Sequence, residues 1–421
     1  MSKEMKLIPE FRFPEFVNDG EWSEIKLKQY ATFYRGLTYG KNDTANKGLL
    51  VLRSGNIQND TLVLDKDLVF VEKECPDDLK LLNGDIVICM SNGSKSLVGK
   101  NAEYQGEYDG KITVGAFCSI MRPKNRFTKY LLQSDAYQTF IALSIGGGNI
   151  NNLKNSDLEE FECIVPKNLP EQQKIASCLS SLDELLAAHN DKLGALKDHK
   201  KGLMQNLFPQ EGETVPKVRF KEFEGDGEWN FTILDGIADI SSGGTPSRSK
   251  MEYWNGNIPW VSTTLIDFNE IKKSNEFITT LGLKKSSTKI FPKGTILMAM
   301  YGQGKTRGKV AVLGFDAAIN QACAAIKLNA GMNVNFVFQN LASRYDEIRT
   351  ISNQGGQDNL SGELVKNIPI CYPSTKSGEQ QKIASCLSAL DELITAQAEK
   401  IEQLQQHKKG LMQGLFPKIN D

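Results

Sequence analysis

Glu171 to Pro209 reads EQQKIASCLSSLDELLAAHNDKLGALKDHKKGLMQNLFP, and Glu379 to Pro417 reads EQQKIASCLSALDELITAQAEKIEQLQQHKKGLMQGLFP. The offset is 208 throughout and 27 of the 39 positions are identical, so the chain carries an internal duplication. Within each copy apolar residues step by four and three: Ile175, Leu179, Leu182, Leu186, Leu193, Leu196, Leu203 and Leu207, then Ile383, Leu387, Leu390, Ile394, Ile401, Leu404, Leu411 and Leu415. That is a heptad register, interrupted by polar residues at His189/Gln397 and Lys200/Lys408. A helix of about 37 residues spans roughly 55 Å and cannot bury such a stripe inside one small domain. Two such helices, each leaving its own domain in the same way, are expected to pair as an antiparallel coiled coil with a domain at each end. The interrupting His189 and Gln397 read as register devices, and the Lys-Lys ends as solvated helix termini or part of a docking surface.

The segments between the helices repeat more faintly. Arg12-Phe13, Glu15-Phe16 and Asp19-Gly20-Glu21-Trp22 are echoed by Arg219-Phe220, Glu222-Phe223 and Asp226-Gly227-Glu228-Trp229. Gly36-x-Thr38 lines up with Gly243-x-Thr245, and Asn152-Leu153 with Asn359-Leu360. The order is variable domain (1–170), repeated helix (171–209), variable domain (210–378), repeated helix (379–418). Each half is the other's comparison: the helices are held to one job done twice, while the domains are free to do different versions of one job.

The domains read as β-rich, which makes the whole an α+β chain with a pseudo-twofold internal repeat. Strands are expected at Leu49–Leu52, Asp85–Met90, Val114–Met121, Thr295–Met300, Lys309–Leu313 and Ala322–Leu328, and helices at Lys129–Leu143 and Phe336–Ile351. Between the strands lie Gly-flexed polar loops. The first domain contributes Arg35, Tyr39, Lys41, Asn92, Ser94, Lys95 and Lys100. The second contributes Thr245, Ser247, Arg248, Lys250, Tyr301, Gln303, Lys305, Thr306, Arg307, Lys309 and Gln354. Such residues on such loops suit base-edge and phosphate contacts, and the same composition also describes ordinary surface loops.

Composition narrows the chemistry. The 421 residues are 40% hydrophobic and 24% charged, the mix of a folded globular chain, and no stretch approaches the run of apolar residues a membrane span needs. The start carries no secretory signal, so the eight cysteines, none in a C-x-x-C pair, are expected to be reduced thiols in a cytoplasmic protein. The only histidines, His189, His199 and His407, all fall in the repeated helices. The domains therefore have no imidazole for a catalytic triad or dyad or for an H-E-x-x-H metal site; no catalytic residue and no metal site is expected, and binding is favoured. Residues 1–170 hold 21 Lys/Arg against 23 Asp/Glu and residues 211–378 hold 19 against 17, nets of −2 and +2. Tight binding to DNA by phosphate contacts alone would show a larger basic excess, so positive charge is expected on one face or partners supply affinity. Ala299-x-x-x-x-Gly304-Lys305-Thr306 matches a relaxed phosphate-loop pattern. Its continuation reads as turn and strand rather than the helix start such a loop needs, which disfavours a nucleotide-dependent enzyme using Lys305.

Gly243-Gly244-Thr245-Pro246-Ser247, followed by Tyr253-Trp254-Asn255-Gly256-Asn257-Ile258-Pro259-Trp260, resembles the target-recognition motif of specificity (S) subunits of Type I restriction–modification enzymes. The two Glu-Gln-x-Lys-Ile-Ala…Leu-Asp-Glu-Leu segments are similar to the spacer helices of that family, as are the Lys-Lys-Gly-Leu-Met-Gln-x-Leu-Phe-Pro ends. The first domain departs from the motif, with Gly36-Leu37-Thr38-Tyr39 in place of Gly-Gly-Thr-Pro and no Tyr-Trp segment. The resemblance implies a non-catalytic recognition subunit with two target-recognition domains, each reading half of a bipartite, asymmetric site in double-stranded DNA, and helices that set the gap. It implies two docked methyltransferase (modification) subunits that methylate adenine, and motor-nuclease (restriction) subunits. No cofactor is then expected in this chain, with S-adenosylmethionine, ATP and magnesium held by the partners. The rival is a tandem adaptor or scaffold whose helices dimerise and whose domains bind protein or glycan.

Overall fold

The computed structural model describes residues 7–145, 152–302, 305–351 and 359–417. The chain forms two compact units, residues 1–189 with 400–421, and residues 190–399. Both boundaries fall inside long helices, Leu169–Leu207 and Glu379–Leu415, so each unit contains pieces of both helices.

In the first unit a four-stranded antiparallel sheet runs in the order Ala31–Arg35, Cys118–Pro123, Ile86–Cys89, Asn101–Glu103. Its strand Ile86–Cys89 is buried at all four positions, and the two-residue period explains why. Ile86 and Ile88 join the core that contains the helix residues, whereas Val87 and Cys89 face a second core shared with Leu50, Leu52 and Val114. A second sheet, Ile112–Val114, Leu49–Leu52, Val69–Val71 and Thr44–Ala45, covers that side. The unit is thus layered as helix, sheet, sheet.

The second unit repeats the plan. Its sheet orders Ala238–Ser242, Cys323–Leu328, Ile296–Ala299, Val310–Leu313, Asn269–Ile271, and a second sheet contains Trp254–Val261 and Ala317–Ile319. Ile296 and Met298 face the helix-side core, and Leu297 and Ala299 the other.

The helix layer builds only the ends of each heptad stripe into the domain cores. Ile175, Ala176 and Leu179 enter the first unit's core beside Met412, Leu415 and Phe416 from the end of the other helix. In the second unit Ile383, Ala384 and Leu387 meet Leu207 and Phe208. The opening turns of each helix therefore serve their own domain, and the closing turns of the other helix complete the layer. The central heptad positions Leu182, Leu186, Leu193 and Leu196 are half-buried, while Ile401 and Leu404 are buried. Within each unit the helix segments run antiparallel, as ion pairs record: Lys408 Nζ lies 2.6 Å from Asp183 Oδ1 in the first, and Lys200 Nζ 2.6 Å from Asp391 Oδ1 in the second. These are equivalent pairs under the 208-residue offset. They correct the reading of Lys200 and Lys408 as solvated ends or docking residues: both are mostly covered and tie helix to helix. Gln397 is buried and His189 half-buried, the latter less enclosed than its repeat counterpart.

A second repeated device locks each helix start. Glu171 accepts from Arg12 Nε and Nη2 (both 2.8 Å) and Trp22 Nε1 (3.2 Å), and Glu379 accepts from Arg219 Nε and Nη2 (both 2.7 Å). All four charged side chains are at most 8% exposed, and the carboxylate holds each guanidinium above its ordinary pKa.

Three expected elements are interrupted. Val114–Met121 is two strands, Ile112–Val114 and Cys118–Pro123, because Gly115 to Phe117 form a turn closed by Cys118 N–H donating to Gly115 O. Lys129–Leu143 is two helices, Thr128–Leu131 and Asp135–Ile145. Ser134 sits between them, its hydroxyl donating to Leu131 O and accepting from Tyr137 N. Phe336–Ile351 likewise divides into Val334–Ser343 and Tyr345–Thr350 at Arg344. The first long helix also starts at Leu169, two residues before Glu171.

Candidate nucleic-acid interface

Strand direction decides which loops meet. In the first unit Arg35 ends its strand opposite Ser119, Cys118 starts the next opposite Cys89, and Asn101 opens the edge strand opposite Ile88. The loops 36–43, 90–100 and 115–117 therefore emerge from one edge of the sheet. In the second unit Ser242, Ala324 and Met298 align across their strands, with Val310 opposite Met298. The segments 243–250, 300–309 and 320–322 share the corresponding edge, joined by Asp267 and Phe268 ahead of the parallel strand Asn269–Ile271.

Two glycine pairs make this edge possible. A Cβ on Gly36 would lie 2.2 Å from Gly115 O, and one on Gly243 would lie 2.1 Å from Ile319 O, so neither position admits a side chain. Gly99 and Gly308 have φ of +83° and +84°, and each donates its N–H to the last residue of the buried central strand, Cys89 or Ala299. Leu153 N–H donates to Met90 O and Leu360 N–H to Met300 O, which brings the Asn-Leu dipeptides to the same edges.

All the described candidate residues lie on these edges, but their states differ between units. In the first, Arg35, Lys41, Lys95 and Lys100 are exposed and form no ion pair among the described residues. Tyr39 is half-buried beside Gly115. Asn92 donates to Ser54 Oγ (2.9 Å) and accepts from Ser94 N (3.0 Å), so it shapes its loop.

In the second unit several candidates already hold partners within the chain. Arg248 pairs with Glu276 and stacks over Trp254, its guanidinium carbon 3.9 Å from the ring centroid. Trp254 Nε1 donates to Ser247 O (3.2 Å) and Trp260 Nε1 to Gly244 O (3.0 Å), with the rings edge-to-face at 5.2 Å. The Tyr-Trp segment is thus a clamp for the Gly-Gly-Thr-Pro-Ser loop. Thr245 hydrogen-bonds Gln321, Ser247 Oγ lies 2.9 Å from Ser249 Oγ, and Lys309 pairs with Asp267 at 2.6 Å. Lys250 donates to the Tyr253 hydroxyl (3.2 Å), a bond that raises its ammonium pKa. Lys305, Arg307 and Tyr301 stay available: Lys305 and Tyr301 are exposed, and the half-buried Arg307 has a buried Nε with no hydrogen-bond partner among the described residues. Thr306 packs beside Gly302. Gln303 and Gln354 lie outside the described residues. Lys305 to Gly308 form turns before the Val310–Leu313 strand, so no helix follows the Gly-Lys-Thr and the phosphate-loop pattern lacks its structural context.

Sequence reasoning missed two edge residues, Phe117 and Gln321. Each sits in a turn between strands that was read as part of a continuous strand or left unassigned, so its exposure had no sequence signal. The thiols Cys118 and Cys323 open equivalent strands, and desolvation pushes both up to about 12; all eight cysteines are free. No helix among the described residues is long and apolar enough to cross a membrane.

A sequence profile described as "Type I restriction modification DNA specificity domain" matches residues 19–198 and again 226–406. The chain is 25% identical over 401 residues to the Type I restriction enzyme StySPI specificity subunit of Salmonella potsdam, covering 91% of this chain and 84% of that one. It is 35% identical over 175 residues to the EcoKI specificity subunit of Escherichia coli, covering 39% and 36%. The fold is similar to the S subunit of a Type I restriction–modification system from M. genitalium, with TM-score 0.62 and 17% identity over 98% of this chain and 100% of that one. With two copies of the domain spanning most of its length, the chain belongs to the family of Type I restriction–modification DNA specificity subunits.

Proposed function

We propose that this non-catalytic specificity subunit reads a bipartite, asymmetric target, one domain per half-site, and that the repeated helices fix the number of base pairs between the halves. The carrying observation is where the two copies agree and where they differ. On the helices, Gln173, Ser177, Glu184 and Leu185 are exposed and identical to exposed Gln381, Ser385, Glu392 and Leu393. Packing does not demand identity at exposed positions, but a partner docked twice does. On the sheet edges the loops differ in length, charge and clamp, as two readers of different sequence would.

The twice-docked partner in this reading is a methyltransferase subunit, two copies per chain, acting on adenine with its own S-adenosylmethionine. Motor-nuclease subunits bring ATP and magnesium, and the complex works in the cytoplasm on double-stranded DNA. Binding energy comes jointly from the edge cations and from the partners, in keeping with a chain of net charge −1. The test is to mix the purified chain with its methyltransferase partner and random-sequence duplex DNA. Methylation confined to one split sequence is the expected result. Methylation without sequence preference, or no dependence on the chain, would overturn the proposal.

A further inference from the structure

We infer that Phe117 is a specificity-determining residue of the first half-site, making apolar contact with the C5-methyl group of a thymine in the major groove. The inference rests on the proposed function and adds a residue and a base to it.

Phe117 is 69% exposed. Scattered apolar residues on a surface are common and need no explanation alone. This one differs in how it is held and where. Its carbonyl accepts from both Met90 N (2.8 Å) and Ser91 N (3.2 Å). The turn before it is fixed by Cys118 N–H to Gly115 O and Gly115 N–H to Leu52 O, both 2.8 Å, and by Gly36 N–H to Cys118 O at 3.1 Å. Two other loops and the end of the strand Leu49–Leu52 thus fasten the turn of a residue whose ring meets solvent. The ring stands on the same sheet edge as Arg35, Lys41, Lys95 and Lys100, the cations without acidic partners among the described residues.

The second unit builds the same turn from Asn320-Gln321-Ala322, with Cys323 N–H to Asn320 O and Met300 N–H to Ala322 O. There the exposed side chain of the turn is Gln321, which hydrogen-bonds Thr245, and the turn itself carries no aromatic. The frame is shared, but Phe117 stands where the second unit has half-buried Ala322, and half-buried Ala116 stands where it has exposed Gln321. The two turns thus project different chemistry from different positions, as expected where each unit reads a different base pair. A rigidly mounted phenyl among phosphate-seeking cations has one apolar partner in the major groove, the thymine methyl.

The experiment uses the full chain assembled with its methyltransferase subunits and duplexes carrying its target, with each thymine of the first half-site replaced in turn by deoxyuridine. Losing one methyl contact is expected to weaken wild-type binding about three- to fourfold at a single position. F117A should be indifferent to that replacement, should accept other base pairs there, and should leave the second half-site unchanged. A first half-site without an A·T pair, no deoxyuridine-sensitive position, or an F117A protein that keeps the sensitivity would overturn the inference. So would an F117A defect confined to methyltransferase assembly, which would make Phe117 a protein contact. Each of these leaves the split-site reading standing, whereas wild-type protein without any split preference removes both.

Discussion

Glu171 and Glu379 show how much of this molecule is fixed at single residues. Each carboxylate is buried at the start of a long helix and takes a two-pronged bond from an arginine more than 150 residues away in sequence. Glu171→Ala leaves the Arg12 guanidinium enclosed without its counter-charge and is expected to cost about 3–5 kcal/mol. Thermal or denaturant unfolding would read this, with exposed Lys201→Ala as a control within about 0.5 kcal/mol of wild type. Arg248 is another residue whose role is double. Its pairing with Glu276 and stacking on Trp254 make Arg248→Ala loosen the Gly-Gly-Thr-Pro-Ser clamp, so the expected result is relaxed recognition in the second half-site only. Arg248→Lys, which keeps charge but loses the planar stack, should behave more like alanine than like arginine. Methylation patterns of the two variants check this.

At the scale of elements, Lys200–Asp391 and Lys408–Asp183 record the antiparallel pairing twice. The side chains are partly covered, so a double-mutant cycle on Lys200 and Asp391 is expected to give a coupling of about 0.5–1 kcal/mol. The charge-swapped K200D/D391K chain should regain most of what either single reversal loses, as measured by denaturant midpoint. The helices were legible in the sequence because a 39-residue repeat with a heptad stripe admits few readings. The central strands were legible because runs such as Ile86–Cys89 are apolar on both faces. The interruptions were not. Nothing local distinguishes the turn at Gly115 to Phe117 from strand until the Phe117 carbonyl accepts from the N–H groups of Met90 and Ser91 in a distant loop. The site was legible as a set of loops but not as a set of roles: the engagement of Arg248 with Glu276 and of Lys309 with Asp267 depends on strand pairing that spacing does not encode.

At the scale of the whole molecule, the free cations of the first unit and the engaged ones of the second carry a further expectation. Lys95→Ala or Lys100→Ala should weaken DNA binding of the assembled complex across all sequences. Each phosphate contact removed should lower the slope of log affinity against log salt by about 1, without changing the methylated sequence. Matched heptads inserted after Leu193 and Ile401 should lengthen the gap by roughly 10 Å, about three base pairs, while both half-sequences stay as they are. The most direct measurement is methylation sequencing of DNA from cells expressing a chain in which the first domain replaces the second, alongside the unaltered chain. Two readers of one kind on antiparallel helices predict a symmetric, inverted-repeat mark from the altered chain and an asymmetric split mark from the natural one. An altered chain that still marks the natural asymmetric site would contradict the claim that each domain reads its own half.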